Sequence, residues 1–166
     1  MHSHDVLIDG YSRIKEEVHA VLDGLSVEEL HARPGGETNS IAWLVWHLTR
    51  VQDDHVADAA GFEQVWLAGG WADRFDLPLD ATDIGYGHTP KQVGQVRVAG
   101  GELHLDYYDA VHEQTLGYLA GLKAADLDRI VDERWDPPVT LGVRLVSVLS
   151  DDLQHVGQAA YVRGSL

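Results

Sequence analysis

At 166 residues, 45 % of them apolar and 23 % charged, the chain is long enough for one domain with a real core and too apolar to be disordered. A net charge of −15 opposes phosphate backbones and anionic lipid, which excludes nucleic acid and membrane surfaces as expected partners. Without cysteine there is no disulfide, no thiolate metal ligand and no cysteine nucleophile, so any thiol chemistry must use a thiol brought by a substrate.

The opening stretch MHSHDVLIDGYSRIKEE lacks the basic-then-apolar pattern of a secretory signal, and no apolar run approaches a membrane span; a cytoplasmic protein is expected. Val6, Ile14, Val18, Val21, Leu22 and Leu25 form an apolar stripe that predicts a first helix over 6–23, capped by Asp5 or a neighbour and closed by Gly24. Ser26 and Glu29 make a Ser-x-x-Glu capping box for a short second helix ending near His31. Arg-Pro-Gly-Gly-Glu (33–37) is a turn by composition. Thr38, Asn39 and Ser40 then offer N-caps for a long helix over 41–60, stopped by Gly61. Its apolar stripe carries His47 on the flank, with Trp43 and Asp54, and His55 near the centre.

Residues 62–88 are the least regular stretch. A connection that long inside a compact domain points to a lid or rim, with Trp66 and Trp71 folding it onto the core or walling the site. Thr89 and Pro90 start another helix, predicted to reach Val98. A third long helix covers 102–119; its adjacent Tyr107 and Tyr108 cannot share one buried face. Residues 124–131 read as a helical turn leading into an extended piece, ended by Pro137-Pro138, and Thr140 caps the last helix, 141–163. Four long helices with no convincing alternating strand predict an all-α fold: a four-helix bundle with long connections and short extra helices, forming a single domain over 1–166.

The last helix bears a polar seam beside its apolar face: Arg144, Asp151, His155 and Gln158. Asp151 and His155 at i, i+4 can reach one point in space, as an ion pair or as two metal ligands. Asp152, three residues before His155, is the alternative carboxylate and points nearer the core. Two residues do not make a metal site, but His47 on the second long helix would complete a His/Asp/His set of the catalytic type, with positions left open for substrate. His55 is the rival on that helix, as a core residue bonded to a carboxylate or as a ligand. Asp54 could orient the free ring nitrogen of His47. Arg144 could hold an anionic substrate group or pair with an acidic neighbour.

The stretches Ile-Ala-Trp-Leu-Val-Trp-His-Leu (41–48) and Asp-Asp-Leu-Gln-His-Val-Gly-Gln (151–158) resemble the DinB-like metal-binding helical bundles, and within them the mycothiol-dependent transferases and maleylpyruvate isomerases. The resemblance implies metal ligands at His47, Asp151 and His155, with Gly157 and Gln158 matching the tail of the motif. An aspartate stands at 151 where those proteins carry glutamate or histidine; its shorter reach draws the metal toward the last helix, weakens its binding, or brings Asp151 in through water. It further implies a divalent metal, zinc first and nickel or ferrous iron as alternatives, a thiol co-substrate such as mycothiol, a small electrophile, and a homodimer as one assembly such bundles adopt. Metal-assisted hydrolysis of a small amide or ester, or metal-stabilised binding without catalysis, are the rival functions.

Overall fold

The computed structural model describes residues 2–166. Helix α1 (Ser3–Leu22) is followed by the short α2 (Val27–Leu30) and the long α3 (Ile41–Ala60). The connection beyond holds α4 (Val65–Ala68), α5 (Trp71–Phe75) and α6 (Pro90–Val93), before the third long helix, α7 (Glu102–Ala120). A 3-10 turn (Ala124–Asp128) and a two-stranded antiparallel ribbon, β1 (Ile130–Asp132) and β2 (Val139–Thr140), lead into α8 (Leu141–Gly164).

Local chemistry accounts for most helix ends. The hydroxyls of Ser26, Ser40 and Thr140 accept from the backbone N–H three residues on, and Gly61 closes α3 at a φ of 77°. Three expectations are corrected. Helix α1 begins at Ser3 because the Asp5 carboxylate reaches back to the His2 N–H at 2.6 Å, so Asp5 lies inside the first turn rather than capping it. Helix α6 stops at Val93, not Val98. The chain turns away there to bury Val96 and to let the Val98 N–H donate to His31 Nε2 at 3.1 Å, so a tertiary bond replaces a helical one. The extended piece pairs with the residues before α8, giving a small sheet where no strand was expected.

The four long helices form a bundle in which α3 and α1 each pack against both α7 and α8. Helices α1 and α8 run parallel, with Tyr11 donating to the Leu145 carbonyl and Arg163 to that of Val21. Helices α3 and α7 are also parallel: α7 runs antiparallel to α1, with Gly101 beside Leu22 and Asp109 on Lys15 and His19, and α3 runs antiparallel to α8, with Leu44 near Gln158, His47 on His155 and His55 near Arg144. A parallel neighbour needs a crossover, which is why 61–101 is so long. Because α7 is covered on two sides, Tyr107 and Tyr108 are both fully buried, on different faces: Tyr107 donates to Asp53 on α3, while Tyr108 lies near Tyr11 of α1 and Asp152 of α8. Trp66 and Trp71 are buried against Tyr107 and fold the connection onto the core. No helix among the described residues is long and apolar enough to cross a membrane.

Candidate metal centre

His47 sits in the first half of α3, where nearly every residue is buried, and is itself 2 % exposed. Trp43, one turn earlier, stacks on it with ring centroids 4.6 Å apart. Its Nδ1 donates to the carbonyl of Ile84, at 2.5 Å. That bond fixes the tautomer and leaves the Nε2 lone pair free, as a metal-ligating histidine requires. Burial pushes the His47 pKa down to about 4, so the ring is neutral at pH 7.

The loop that supplies the Ile84 carbonyl depends on Gly85. Its φ is +96°, and a Cβ there would lie 2.6 Å from His47 Nδ1 and 3.1 Å from the Trp46 ring. His88 fastens the same loop. It accepts from Trp43 Nε1 at 3.1 Å through Nδ1 and donates from Nε2 to Asp83 at 2.9 Å, while Asp83 accepts from the Gly85 N–H. Fully buried Arg50 adds a third tie, donating to the Asp83 carbonyl and to Gln64 while lying over the Trp66 ring at 4.8 Å.

Helix α8 runs antiparallel to α3 and presents Asp151 and His155 opposite His47. The His47 and His155 rings meet edge to face with centroids 4.7 Å apart, and His155 Nε2 is 3.7 Å from Asp151 Oδ1. One donor atom each from His47, Asp151 and His155 lies within 4.8 Å of the others. The second oxygen, Asp151 Oδ2, is buried with no hydrogen-bond partner. An orphaned carboxylate oxygen beside two imidazole nitrogens is costly unless a cation shares the site, and His/His/carboxylate is a donor set that divalent metals accept. The residues therefore fit a bound metal. The sequence profile that spans residues 11–159 is that of the DinB superfamily.

This chain belongs to the DinB superfamily. A crystal structure of a conserved protein from Enterococcus faecalis is similar to it, with a TM-score of 0.91 at 34 % identity, covering 98 % of this chain and 96 % of that one. A comparison with proteins of curated function returns no match.

The other candidates on the DinB bundle take different places. Asp152 is fully buried near Tyr11 and Tyr108, with neither oxygen bonded, and burial holds its pKa well above the usual carboxylate range. It faces away from the His47 cluster. Asp54 does not orient His47, whose Nδ1 is taken by Ile84; it accepts from Gln64 at 2.8 Å and lies 3.4 Å from His55 Nδ1. His55, expected near the centre of the buried stripe, sits at its edge with 22 % of its side chain exposed, because Gln52 and Val56 fill the interior at that end of α3. Arg144 pairs with Asp132 at 2.9 Å, not with Asp151. Gln158 is exposed and its Oε1 lies 3.3 Å from His155 Nδ1, holding the ring from outside.

Two contributors were missed in the sequence. The Ile84 carbonyl leaves no side-chain signal. Tyr86 does: it stands between two positive-φ glycines, Gly85 and Gly87, in a loop otherwise read only as irregular. Its ring is 5.3 Å from that of His47 and 6.2 Å from that of His55, over the mouth of the cluster. Beyond His55 a groove of about 600 Å³ follows the connection, lined among others by Asp54, Gln64, Leu67 and Arg144.

Proposed function

We propose that this chain is a divalent-metal-dependent S-transferase of the mycothiol-using branch of the superfamily, with zinc held by His47, Asp151 and His155 and a low-molecular-weight thiol as co-substrate. The observation that carries this reading is the convergence of three donor atoms within 4.8 Å, one carboxylate oxygen among them lacking any other partner. The absence of cysteine supports it: the reacting sulfur has to arrive with a ligand. When bound, a divalent cation supplies Lewis acidity that favours thiolate over thiol near neutral pH.

The chain's own residues hold and orient. His47 stays neutral through burial and keeps its Nδ1 proton on Ile84, so Nε2 faces the site at all pH values of interest. Tyr86 is kept protonated, its pKa raised by burial and by Asp151 and Asp152, so its hydroxyl is a hydrogen-bond donor at the mouth. The groove beyond His55 takes a small electrophile, whose polar atoms meet His55 and Gln64. Partners are therefore two small molecules, a thiol and an electrophile.

Elemental analysis after zinc loading tests the metal first: about one ion per chain is expected, and less than about a tenth, unchanged in His155→Ala, removes the site. The zinc-loaded protein mixed with mycothiol and monochlorobimane should then form the thioether faster than His47→Ala does. No conjugate above that background would sink the transferase reading for this electrophile, and thiol-independent cleavage of a small ester would replace it by hydrolysis.

A further inference from the structure

The candidate metal centre has a second approach besides the groove beyond His55. Between residues 34–39 and the last turns of α8 runs a groove of about 800 Å³, the size of a small-molecule site. Nearest the cluster it is lined by Gln158, whose Oε1 lies 3.3 Å from His155 Nδ1, and by Leu44, one turn before His47 on α3. The two grooves therefore open on either side of one cluster, and they differ in charge. The groove beyond His55 carries Asp54, Asp58, Glu63, Arg134 and Arg144. Among the described residues, ten line this one, and of these only Glu37 is charged. In a chain of net charge −15, a neutral groove suits a neutral ligand.

The polar atoms on its walls match a polyol. A hydroxyl group donates and accepts at once, so recognising several in a row takes donors and acceptors set side by side. Thr38 and Ser165 donate their own hydroxyl protons to the carbonyls of Pro34 and Tyr161, at 2.7 and 2.9 Å, which leaves their oxygens as acceptors. Gln158, with Oε1 beside His155, offers its NH2 as a donor. Asn39 on the opposite wall brings donor and acceptor together in one carboxamide. Tyr161 is 78 % exposed, and its ring is a flat surface that the C–H face of a sugar ring can cover. The floor is open at Gly157. A Cβ there would meet nothing within 4 Å, so the packing of the protein itself does not call for glycine at this point of α8. A glycine inside a helix weakens it, and the close approach of a ligand accounts for this one.

We propose that this groove is the subsite for the polyol end of the thiol co-substrate, a neutral polyhydroxylated group, and that the groove beyond His55 is left to the electrophile. This subsite rests on the transferase reading above. The dimensions agree with it. Gln158 and His155 are three residues apart on α8, a rise of about 4.5 Å. A cysteinyl arm on an amino sugar carries its sulfur about 5 Å from the amino nitrogen by standard bond lengths. A sugar held against Tyr161 and Gln158 thus brings the sulfur to the cluster of His47, Asp151 and His155.

Calorimetry with S-methyl mycothiol, whose sulfur can neither ionise nor transfer, tests the subsite on the zinc-free full chain. Saturable binding is expected. Gly157→Leu, which fills the groove, and Tyr161→Ala, which removes its exposed ring, should each raise the dissociation constant at least about tenfold. Both positions face solvent, so far-ultraviolet circular dichroism should not change. In the zinc-loaded protein Gly157→Leu should raise KM for mycothiol at least about tenfold, and KM for N-acetylcysteine, which lacks the polyol, by less than about twofold. Binding that responds to both substitutions, without any thioether from monochlorobimane, upholds the subsite and removes the transferase reading for that electrophile. A thioether formed with both KM values shifted alike overturns the subsite and keeps that reading. Absence of S-methyl mycothiol binding at several millimolar overturns the subsite too. So does myo-inositol binding as tightly as the S-methyl thiol, which would make the groove a site for free polyols.

Discussion

Helix α3 gives the cluster one candidate ligand from a helix with sixteen of its twenty residues buried, whereas α8 gives two from a helix with seven of twenty-four buried. The contrast extends to what holds each ligand. His47 is stacked by Trp43, bonded through Nδ1 and capped by a loop tied down by Asp83, His88 and Arg50. His155 has one partner of its own on that side, Gln158, and Asp151 Oδ2 has none. The covered half of the cluster is built by folding, while the open half leaves one buried carboxylate oxygen of Asp151 without a protein partner. Metal sites need both qualities: a fixed ligand sets position, and a less fixed pair can close on the ion.

The largest effect should come from breaking the covered half at its foundation. Asp53 accepts from the N–H groups of Val65 and Trp66 and from the Tyr107 hydroxyl, all at 2.8 Å, and lies 3.6 Å from the fully buried Arg50. Asp53→Ala leaves that guanidinium charged, buried and short of its partner, which costs about 3–5 kcal/mol. Urea unfolding of the metal-free protein measures it. A loss under about 1 kcal/mol would mean the connection is not fastened to α3 in the way described.

Gly85→Ala strikes the same half at the ligand itself. A Cβ 2.6 Å from His47 Nδ1, on a backbone with φ of +96°, must move the loop or the ring. The expected cost is about 1–3 kcal/mol of stability, with zinc affinity reduced roughly 10–100-fold as the Ile84 bond is lost. Competition with a chromophoric chelator reads the second number, and unchanged affinity would show that Ile84 does not orient His47.

The covered half also predicts a pH response. His104 on α7 is buried under Phe75 with neither ring nitrogen bonded, and burial pushes its pKa down to about 3. The unfolded chain takes up the proton near pH 6.5 and the folded chain does not. Stability is therefore full above that value and falls as pH drops from about 6.5 toward 3, by up to roughly 1.4 kcal/mol per unit. His104→Leu should flatten the decline between pH 6.5 and 5, measured as the shift in urea midpoint. An identical slope in the variant would place the acid sensitivity elsewhere.

The same division explains what could be read from the sequence. Side chains that act through periodicity and caps were legible: the four long helices, Ser40 and Thr140 as caps, and the i, i+4 pair of Asp151 and His155 that the fold brings to His47. What failed depended on the backbone or on having two neighbours at once. A carbonyl such as that of Ile84 has no residue type to announce it, and Asp54 was the nearest side chain that could have filled its place. Tyr107 and Tyr108 do not share one face, as their adjacency requires; that both are buried follows from α7 having neighbours on two sides, which one helix's periodicity does not announce. The angle along the stripe turns His55 inward, but the buried arc of α3 narrows toward its end. Arg50 was readable in principle, since an arginine three residues before an aspartate in so apolar a helix needs burial partners, and it found them in the connection.

The smallest expected effect belongs to the open half. Gln158 lies in solvent, and its bond to His155 Nδ1 is long at 3.3 Å, so water can stand in for it when the side chain is removed. Gln158→Ala should leave the urea midpoint unchanged and weaken zinc by less than about tenfold, clearly less than Gly85→Ala does. The two variants remove the same kind of bond, to the Nδ1 of a candidate ligand, from the two sides of one site, so their ratio isolates the contribution of burial. Equal losses in the two would mean that both histidines are held alike and that the difference between α3 and α8 has no bearing on the metal. A greater loss for Gln158→Ala would reverse the assignment, making His155 the fixed ligand and His47 the one that adjusts.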